Sequence, residues 1–263
     1  SFLTAEELRV EVTALFMVGS PFLSARGAVC ADAGILPKIH SAVNPAALRE
    51  GAKDAIISVI FLKKGAFFMN DFSLERIRAL LTRIDRLMAE RERVIVAVDG
   101  GSASGKTTLG ALLQSVYTCP VFHMDDFFLR PEQRTPERFS EPGGNVDRER
   151  FLSEVLLPLR QGKTVDYRRF DCASFTVASP ERIEPGRLNV VEGAYAMHPD
   201  LAPYYDLTVF LTISPEKQRE RILVRNAPAK AEQFFTRWIP FEQRYFSALS
   251  VPERCDLILS GDD

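Results

Sequence analysis

The stretch Val94–Thr108, VIVAVDGGSASGKTT, constrains this chain more than any other. A β-branched apolar run, Val94-Ile95-Val96-Ala97-Val98, enters a glycine-rich turn in which Gly100, Gly105, Lys106 and Thr107 fit the spacing G-x-x-x-x-G-K-[ST]. Such a turn needs glycine because backbone N–H groups must point inward around a phosphate with no Cβ in the way. A helix-compatible stretch follows, Thr107–Tyr117, with Leu109, Leu112, Leu113 and Val116 on one face. Its N-terminus adds unpaired donors and partial positive charge. The loop of Gly100, Gly101, Ser102, Ala103, Ser104, Gly105, Lys106, Thr107 and Thr108 is therefore read as a nucleotide phosphate site. Lys106 can reach the β- and γ-phosphates, and the Thr107 hydroxyl can bind Mg²⁺.

The rest of the chain is read around that loop. Its 263 residues suffice for one large domain or two small ones, and a net charge of −2 implies no general affinity for nucleic acid or an anionic membrane. Cys30, Cys119, Cys172 and Cys255 are scattered, and with only three histidines no zinc site suggests itself. Reduced thiols in a cytoplasm fit best. No apolar run is long enough for a membrane span, and the N-terminus lacks a signal-peptide pattern.

Residues 1–68 carry no motif. Thr4–Met17 and Ala46–Lys53 have helical spacing, and Ala55–Leu62 reads as a buried strand or helix. This N-terminal extension is either a small cap or non-native sequence ahead of a natural start at Met69. Lys63-Lys64-Gly65-Ala66 can be encoded with a ribosome-binding-like AAGGAG a short spacer before the Met69 codon. From Ser73, a candidate cap, an amphipathic helix runs through Leu74, Ile77, Leu80, Leu81, Ile84, Leu87 and Met88. After the phosphate loop, Cys119–Met124 reads as a short strand and Leu129–Asn145 as a long polar loop. A helix over Asp147–Arg160, a hairpin or extended arm over Thr164–Phe175, and strands at Leu188–Val191 and Leu207–Ile213 follow. Ser214-Pro215 opens a helix through Arg225, Gln233–Leu249 is a helix made irregular by Pro240, and Cys255–Leu259 is a last strand. Alternating strands and helices predict an α/β fold with a mainly parallel sheet, whose ligands sit at the carboxyl ends of strands.

Three groups outside the loop stand where chemistry would need them. Asp125 and Asp126 follow a strand directly; phosphoryl transfer to a hydroxyl needs a carboxylate to orient the nucleophile and accept its proton. Glu192, after Asn189-Val190-Val191, sits like a metal-holding carboxylate at a strand end. Arg221 and Arg225, at i and i+4, share a helix face and could stabilise charge on a transferring phosphate; Arg219 is a weaker candidate. His123 and His198 read as structural, and Trp238 as core or lid packing.

The segments GGSASGKTT, HMDDFF, VVEG and the arginine helix followed by a W-x-P stretch resemble the uridine kinase and nicotinamide riboside kinase group of the phosphoribulokinase/uridine kinase superfamily over roughly residues 92–260. The resemblance implies a P-loop NTPase fold with a five-stranded sheet and a helical lid over residues 69–263, ATP and Mg²⁺ as cofactors, and a small-molecule hydroxyl acceptor. It implies Lys106 on phosphate, Thr107, Glu192 and Asp125 on Mg²⁺, Asp125 also as base, and Arg221 and Arg225 in the lid. The acceptor-contacting region of the group is similar to Phe139–Asp147 and Tyr167–Asp171, making Asp125, Asp126, Phe139, Asp147, Tyr167, Phe170 and Asp171 candidate substrate residues. FSEPGGNVD and DYRRFD depart from the usual uridine kinase pattern. The leading expectation is transfer to a nucleoside hydroxyl by a cytoplasmic enzyme acting without nucleic acid or membrane, with a homodimer left open. The alternatives are a kinase for pantothenate or a sugar-type metabolite, and a nucleotide-binding regulatory module; the chain lacks the N-K-x-D that often reads guanine in such modules.

Overall fold

A computed structural model describes residues 73–262. The expected elements at Thr4–Met17, Ala46–Lys53 and Ala55–Leu62 lie outside the described residues. The first described element, α1 (Leu74–Glu90), buries Ile77, Leu80, Leu81 and Ile84 along one helical stripe. Leu74 at its start is half exposed, and Ser73 occupies the N-cap position without a side-chain hydrogen bond.

β1 (Val94–Gly100) is buried along its whole length, as a continuous apolar run dictates for a strand covered on both faces. α2 (Lys106–Tyr117) follows the phosphate loop and buries Leu109, Gly110, Leu112 and Leu113; Val116 is only partly covered. β2 (Val121–His123) ends in a 3-10 turn, Met124–Asp126. The stretch expected to be a plain loop contains a second 3-10 turn, Pro131–Gln133, and a short helix, α3 (Pro136–Ser140). Each starts on a proline, whose fixed φ suits a first helical position.

α4 (Arg148–Phe151) passes through a π-helical turn, Leu152–Leu156, into α5 (Leu157–Arg160). The arm predicted over Thr164–Phe175 is longer and double. β3 (Val165–Tyr167) pairs antiparallel with β6 (Glu181–Ile183), and β4 (Phe170–Asp171) with β5 (Thr176–Val177). β7 (Leu188–Glu192) and β8 (Leu207–Thr212) return to the main sheet. α6 (Pro215–Arg225) starts at Ser214, whose Oγ accepts from the Lys217 N–H at 3.4 Å. α7 (Pro228–Gln233), a π-helical turn Phe234–Trp238, and α8 (Ile239–Ala248) form one irregular helical run before β9 (Leu257–Ser260). Both π turns have the same cause: Pro158 and Pro240 stand two residues beyond them and cannot donate to the preceding turn.

The main sheet has five strands in the order β2-β7-β1-β8-β9, all parallel. β7 lies between β1 and β2, and its last residue, Glu192, is in register with both Val98 and His123. The ends of three strands therefore bring the phosphate loop, Glu192 and the Asp125-Asp126 pair to one edge of the sheet. The core behind them holds Ile95, Phe122, Phe127, Phe151, Tyr167 and Tyr245, each worth roughly 1.5–3 kcal/mol on full burial. Among the described residues no helix is long and apolar enough to cross a membrane.

Candidate active site

The phosphate loop is shaped by its glycines. Gly100, at φ 149, lies so close to β8 that a Cβ there would stand 2.4 Å from the Leu211 carbonyl oxygen. Gly105 is left-handed at φ 102 and caps α2, whose first N–H groups have no partner inside the helix. Ala103, at φ 60, adopts the left-handed region without being glycine, a strain of the kind that persists only where neighbours hold it.

The neighbours that hold it come from the lid helices. The Arg221 guanidinium donates from Nη1 to the Ala103 carbonyl at 3.0 Å and from Nη2 to the Gly261 carbonyl at 2.9 Å. Gln218, three residues earlier on the same face of α6, donates from Nε2 to the Ser102 carbonyl at 2.8 Å. Arg221, expected to stabilise charge on a transferring phosphate, thus bonds main-chain carbonyls of the loop and of the segment after β9. Arg225 lies exposed over the Phe234 ring at 5.7 Å, and Arg219 over Phe235 at 4.5 Å, both packed within the lid.

The reactive groups meet at the strand ends. Lys106 Nζ donates to the carbonyls of Gly100 at 2.9 Å and Gly101 at 2.8 Å. Thr107 Oγ1 donates to Glu192 Oε1 at 3.1 Å, and His123 Nδ1 stands 2.6 Å from the same oxygen. This contact with Glu192 raises the pKa of His123, which read as structural in the sequence. Asp125 is exposed at its surface, with protein atoms packed around the base of its carboxyl. The resulting desolvation pushes its carboxyl above the usual carboxylate range; Lys106 opposes the shift, and Glu192 and Asp126 add to it.

Asp99, at the end of β1, is fully buried and accepts from the N–H of Gly100 at 2.6 Å, the N–H of Met197 at 2.9 Å and the Tyr245 hydroxyl at 2.9 Å. Burial pushes its carboxyl up to about 6 against those hydrogen bonds. Glu242 on α8 is also buried and accepts from Ser102 at both oxygens. Sequence reading missed Asp99 and Glu242. The only local signal was the Asp immediately before the first loop glycine; Glu242 looks like any acidic residue on a helix.

The candidate substrate residues divide. Asp126 Oδ2 accepts from the Tyr167 hydroxyl at 2.7 Å and pairs with Arg169 at 3.3 Å. Tyr167 is a core residue, edge-on to Phe122. Asp147 is fully buried, caps α4 through the Arg150 N–H at 3.1 Å and accepts from Arg130 at 3.2 Å. Asp171, exposed, closes the turn between β4 and β5 by accepting from Ala173 N–H at 2.9 Å and Ser174 Oγ at 2.6 Å. Phe170 is buried edge-on to Phe175 in that hairpin. Phe139 on α3 stacks on Phe241 at 6.4 Å, beside Trp238 and Phe128, so the segment before α4 and the helical run through α8 share an aromatic wall.

The residues present fit a nucleotide and Mg²⁺. The loop offers helix N-terminal donors and a lysine for phosphates, and Thr107 and Glu192 offer oxygens. Among the described residues no group of three or more His, Cys, Asp or Glu is placed to hold a metal alone. Mg²⁺ is usually held by one or two protein oxygens with phosphates and water supplying the rest.

The model of the phosphoribulokinase/uridine kinase family matches residues 95–230, just over half of the chain. The chain is 27% identical over 164 residues to Uridine kinase-like protein 3 of Arabidopsis thaliana, covering 57% of this chain and 35% of that protein. It is 35% identical over 109 residues to a uridine kinase of Chloroflexus aurantiacus, covering 38% of this chain and 51% of that protein. It is 30% identical over 174 residues to the bifunctional alpha-galactosidase/sucrose kinase AgaSK of Mediterraneibacter gnavus, covering 57% of this chain and 18% of that protein. The matched region thus spans about half or less of each of these relatives. A solved structure of a possible uridine kinase from Bacillus stearothermophilus superposes with a TM-score of 0.50 at 21% identity, covering 68% of this chain and 98% of that one, a likeness of fold.

Proposed function

Because the chain belongs to the phosphoribulokinase/uridine kinase family, we propose that it is a small-molecule kinase that moves the γ-phosphoryl group of ATP to a hydroxyl of a nucleoside. The observation that carries this reading is the position of Glu192. It lies between the phosphate loop, which it reaches through Thr107, and the strand that delivers Asp125. A phosphate donor on the loop and an acceptor on Asp125 would then meet at one edge of the sheet.

Each residue has a part that follows from its chemistry. The loop N–H groups and Lys106 bind the donor phosphates and oppose the charge that grows on them. Asp125 orients the acceptor hydroxyl and takes its proton as the new O–P bond forms and the bond to ADP breaks. Mg²⁺, held by Thr107 and Glu192 with Asp125 nearby, supplies charge neutralisation on the phosphates when bound. The lid helices fix the loop tip from outside.

A second reading, a sugar-type acceptor, is supported by the similarity to a protein named in part as a sucrose kinase. ADP release with a panel of nucleosides, pantothenate and sugars separates the two. Turnover with a nucleoside is expected. Turnover only with sugars favours the second reading, and slow ATP hydrolysis regardless of acceptor favours a nucleotide-binding regulatory module.

A further inference from the structure

The peptide unit between Gly101 and Ser102 is gripped at both ends. Its carbonyl oxygen, on Gly101, accepts from Lys106 Nζ at 2.8 Å. Its N–H, on Ser102, donates to Glu242 Oε2 at 2.8 Å, and the Ser102 hydroxyl donates to Glu242 Oε1 at 2.6 Å. In a trans peptide the C=O and N–H point in opposite directions. Glu242 on one side therefore sets where the carbonyl points on the other, and so where the lysine ammonium rests.

Glu242 is suited to this. It is 5% exposed, and a buried carboxylate is tolerated only with hydrogen bonds or charge partners. Ser102 supplies two donors, and Lys106 attracts the same carboxylate. Tyr245, three residues on and fully buried, bonds Asp99, so the same helix face also fastens the strand that enters the loop. The following carbonyls, of Ser102 and Ala103, are held by Gln218 and Arg221. Gly101 itself gives the first peptide little resistance to rotation, so this peptide depends most on an outside grip.

We propose that Glu242 is a positioning residue: it fixes the Gly101–Ser102 peptide and thereby holds Lys106 over the phosphate loop in readiness for the nucleotide. This rests on the loop being an ATP site. The role is one of reach and geometry, because a glutamine could accept from the Ser102 N–H with its oxygen and donate to the Ser102 hydroxyl with its nitrogen. An aspartate keeps the charge but is a methylene too short to meet both atoms.

The test is the dissociation constant for ATP in the presence of Mg²⁺, measured by titration calorimetry on the full chain, for wild type and for Glu242→Gln, Glu242→Asp and Glu242→Ala. Melting temperatures confirm that each protein is folded. Glu242→Asp and Glu242→Ala should bind ATP about tenfold more weakly, the size expected for about 1.4 kcal/mol of lost preorganisation. Glu242→Gln should recover most of that loss. If Glu242→Ala does not fold, the contrast between the Gln and Asp variants decides. Equal affinity in the folded Asp and Ala variants and wild type overturns the proposal, and so does a Gln variant as weak as the Asp variant. Wild-type protein that binds no ATP refutes the phosphate-site reading itself, a result separable from either of these.

Discussion

The Tyr167 hydroxyl donates to Asp126 Oδ2 at 2.7 Å, and this bond separates two aspartates that are adjacent in sequence. Asp126 is tied to the core through Tyr167 and to the arm through Arg169, whereas Asp125 stands beside Lys106 and Glu192. Asp125→Asn should therefore lower kcat by roughly 10²–10⁴, the usual worth of a general base. Asp126→Asn should cost less in kcat and more in melting temperature. Steady-state kinetics on both variants decide the matter, and a larger kcat loss for Asp126→Asn would reverse the assignment.

Lys106→Ala should abolish turnover while the protein stays folded. The ammonium rests on the Gly100 and Gly101 carbonyls and is the cation that moderates the carboxyls of Asp99, Asp125 and Glu242. Circular dichroism of the variant should match wild type while ADP release falls to background. A variant with near wild-type kcat would remove Lys106 from the phosphate site.

Gly100→Ala should destabilise the domain by roughly 2–5 kcal/mol, from backbone strain and overpacking together. The new Cβ would meet the Leu211 carbonyl oxygen at 2.4 Å, and backbone oxygen on a central strand has little room to retreat. Urea unfolding gives the difference directly. A loss below about 0.5 kcal/mol, the range of an ordinary surface change, would mean that the strand and loop are less tightly joined than their geometry indicates.

The placement of the glycine-rich loop and of Glu192 at strand ends was legible in the sequence because each follows directly on an apolar strand run. The five-stranded parallel sheet was legible for a similar reason: buried strands such as Val94–Gly100 are apolar throughout. Glu242 was not legible. It reaches Ser102 across 140 residues, and only the packing of α8 brings them together. That Asp147 caps a helix and Asp171 closes a turn was not legible either, because a carboxylate near a site and one that caps read alike in one dimension. The two π turns were only half visible: Pro240 signalled an irregular helix, and Pro158 was passed over inside the helix predicted over Asp147–Arg160.

A chain of residues 69–263 should keep the kcat and melting temperature of the full chain. The family match starts at residue 95, and α1 is held against α2 by the Tyr117 hydroxyl, which donates to the Leu81 carbonyl at 3.2 Å and to Asp85 at 2.9 Å. Soluble yield, melting temperature and kcat of the two chains test the boundary at Met69. An insoluble or markedly lower-melting short chain would make residues 1–68 part of the domain.

His198 should impose a pH dependence on stability. It is 8% exposed, and its Nδ1 accepts from the Asp200 N–H at 3.2 Å, a bond that requires the neutral ring. Burial, reinforced by Arg148 and Arg138 and opposed by Asp200 and Glu149, lowers its pKa to about 4. Above the ordinary histidine pKa of about 6.5, neither the folded nor the unfolded chain is protonated there. Between about 6.5 and 4 the unfolded chain takes up a proton that the folded chain refuses, so the stability due to the neutral, buried ring is lost as pH falls. His198→Gln removes that proton uptake. The variant should be the less stable protein at neutral pH, through lost packing, and the gap to wild type should narrow by about 2 kcal/mol between pH 7 and pH 5. Urea unfolding of both proteins at the two pH values measures it. Because the comparison is between variant and wild type, the acid loss due to the carboxylates, common to both proteins, cancels. A gap that stays constant with pH would mean that His198 titrates normally and that its burial does not keep the proton out.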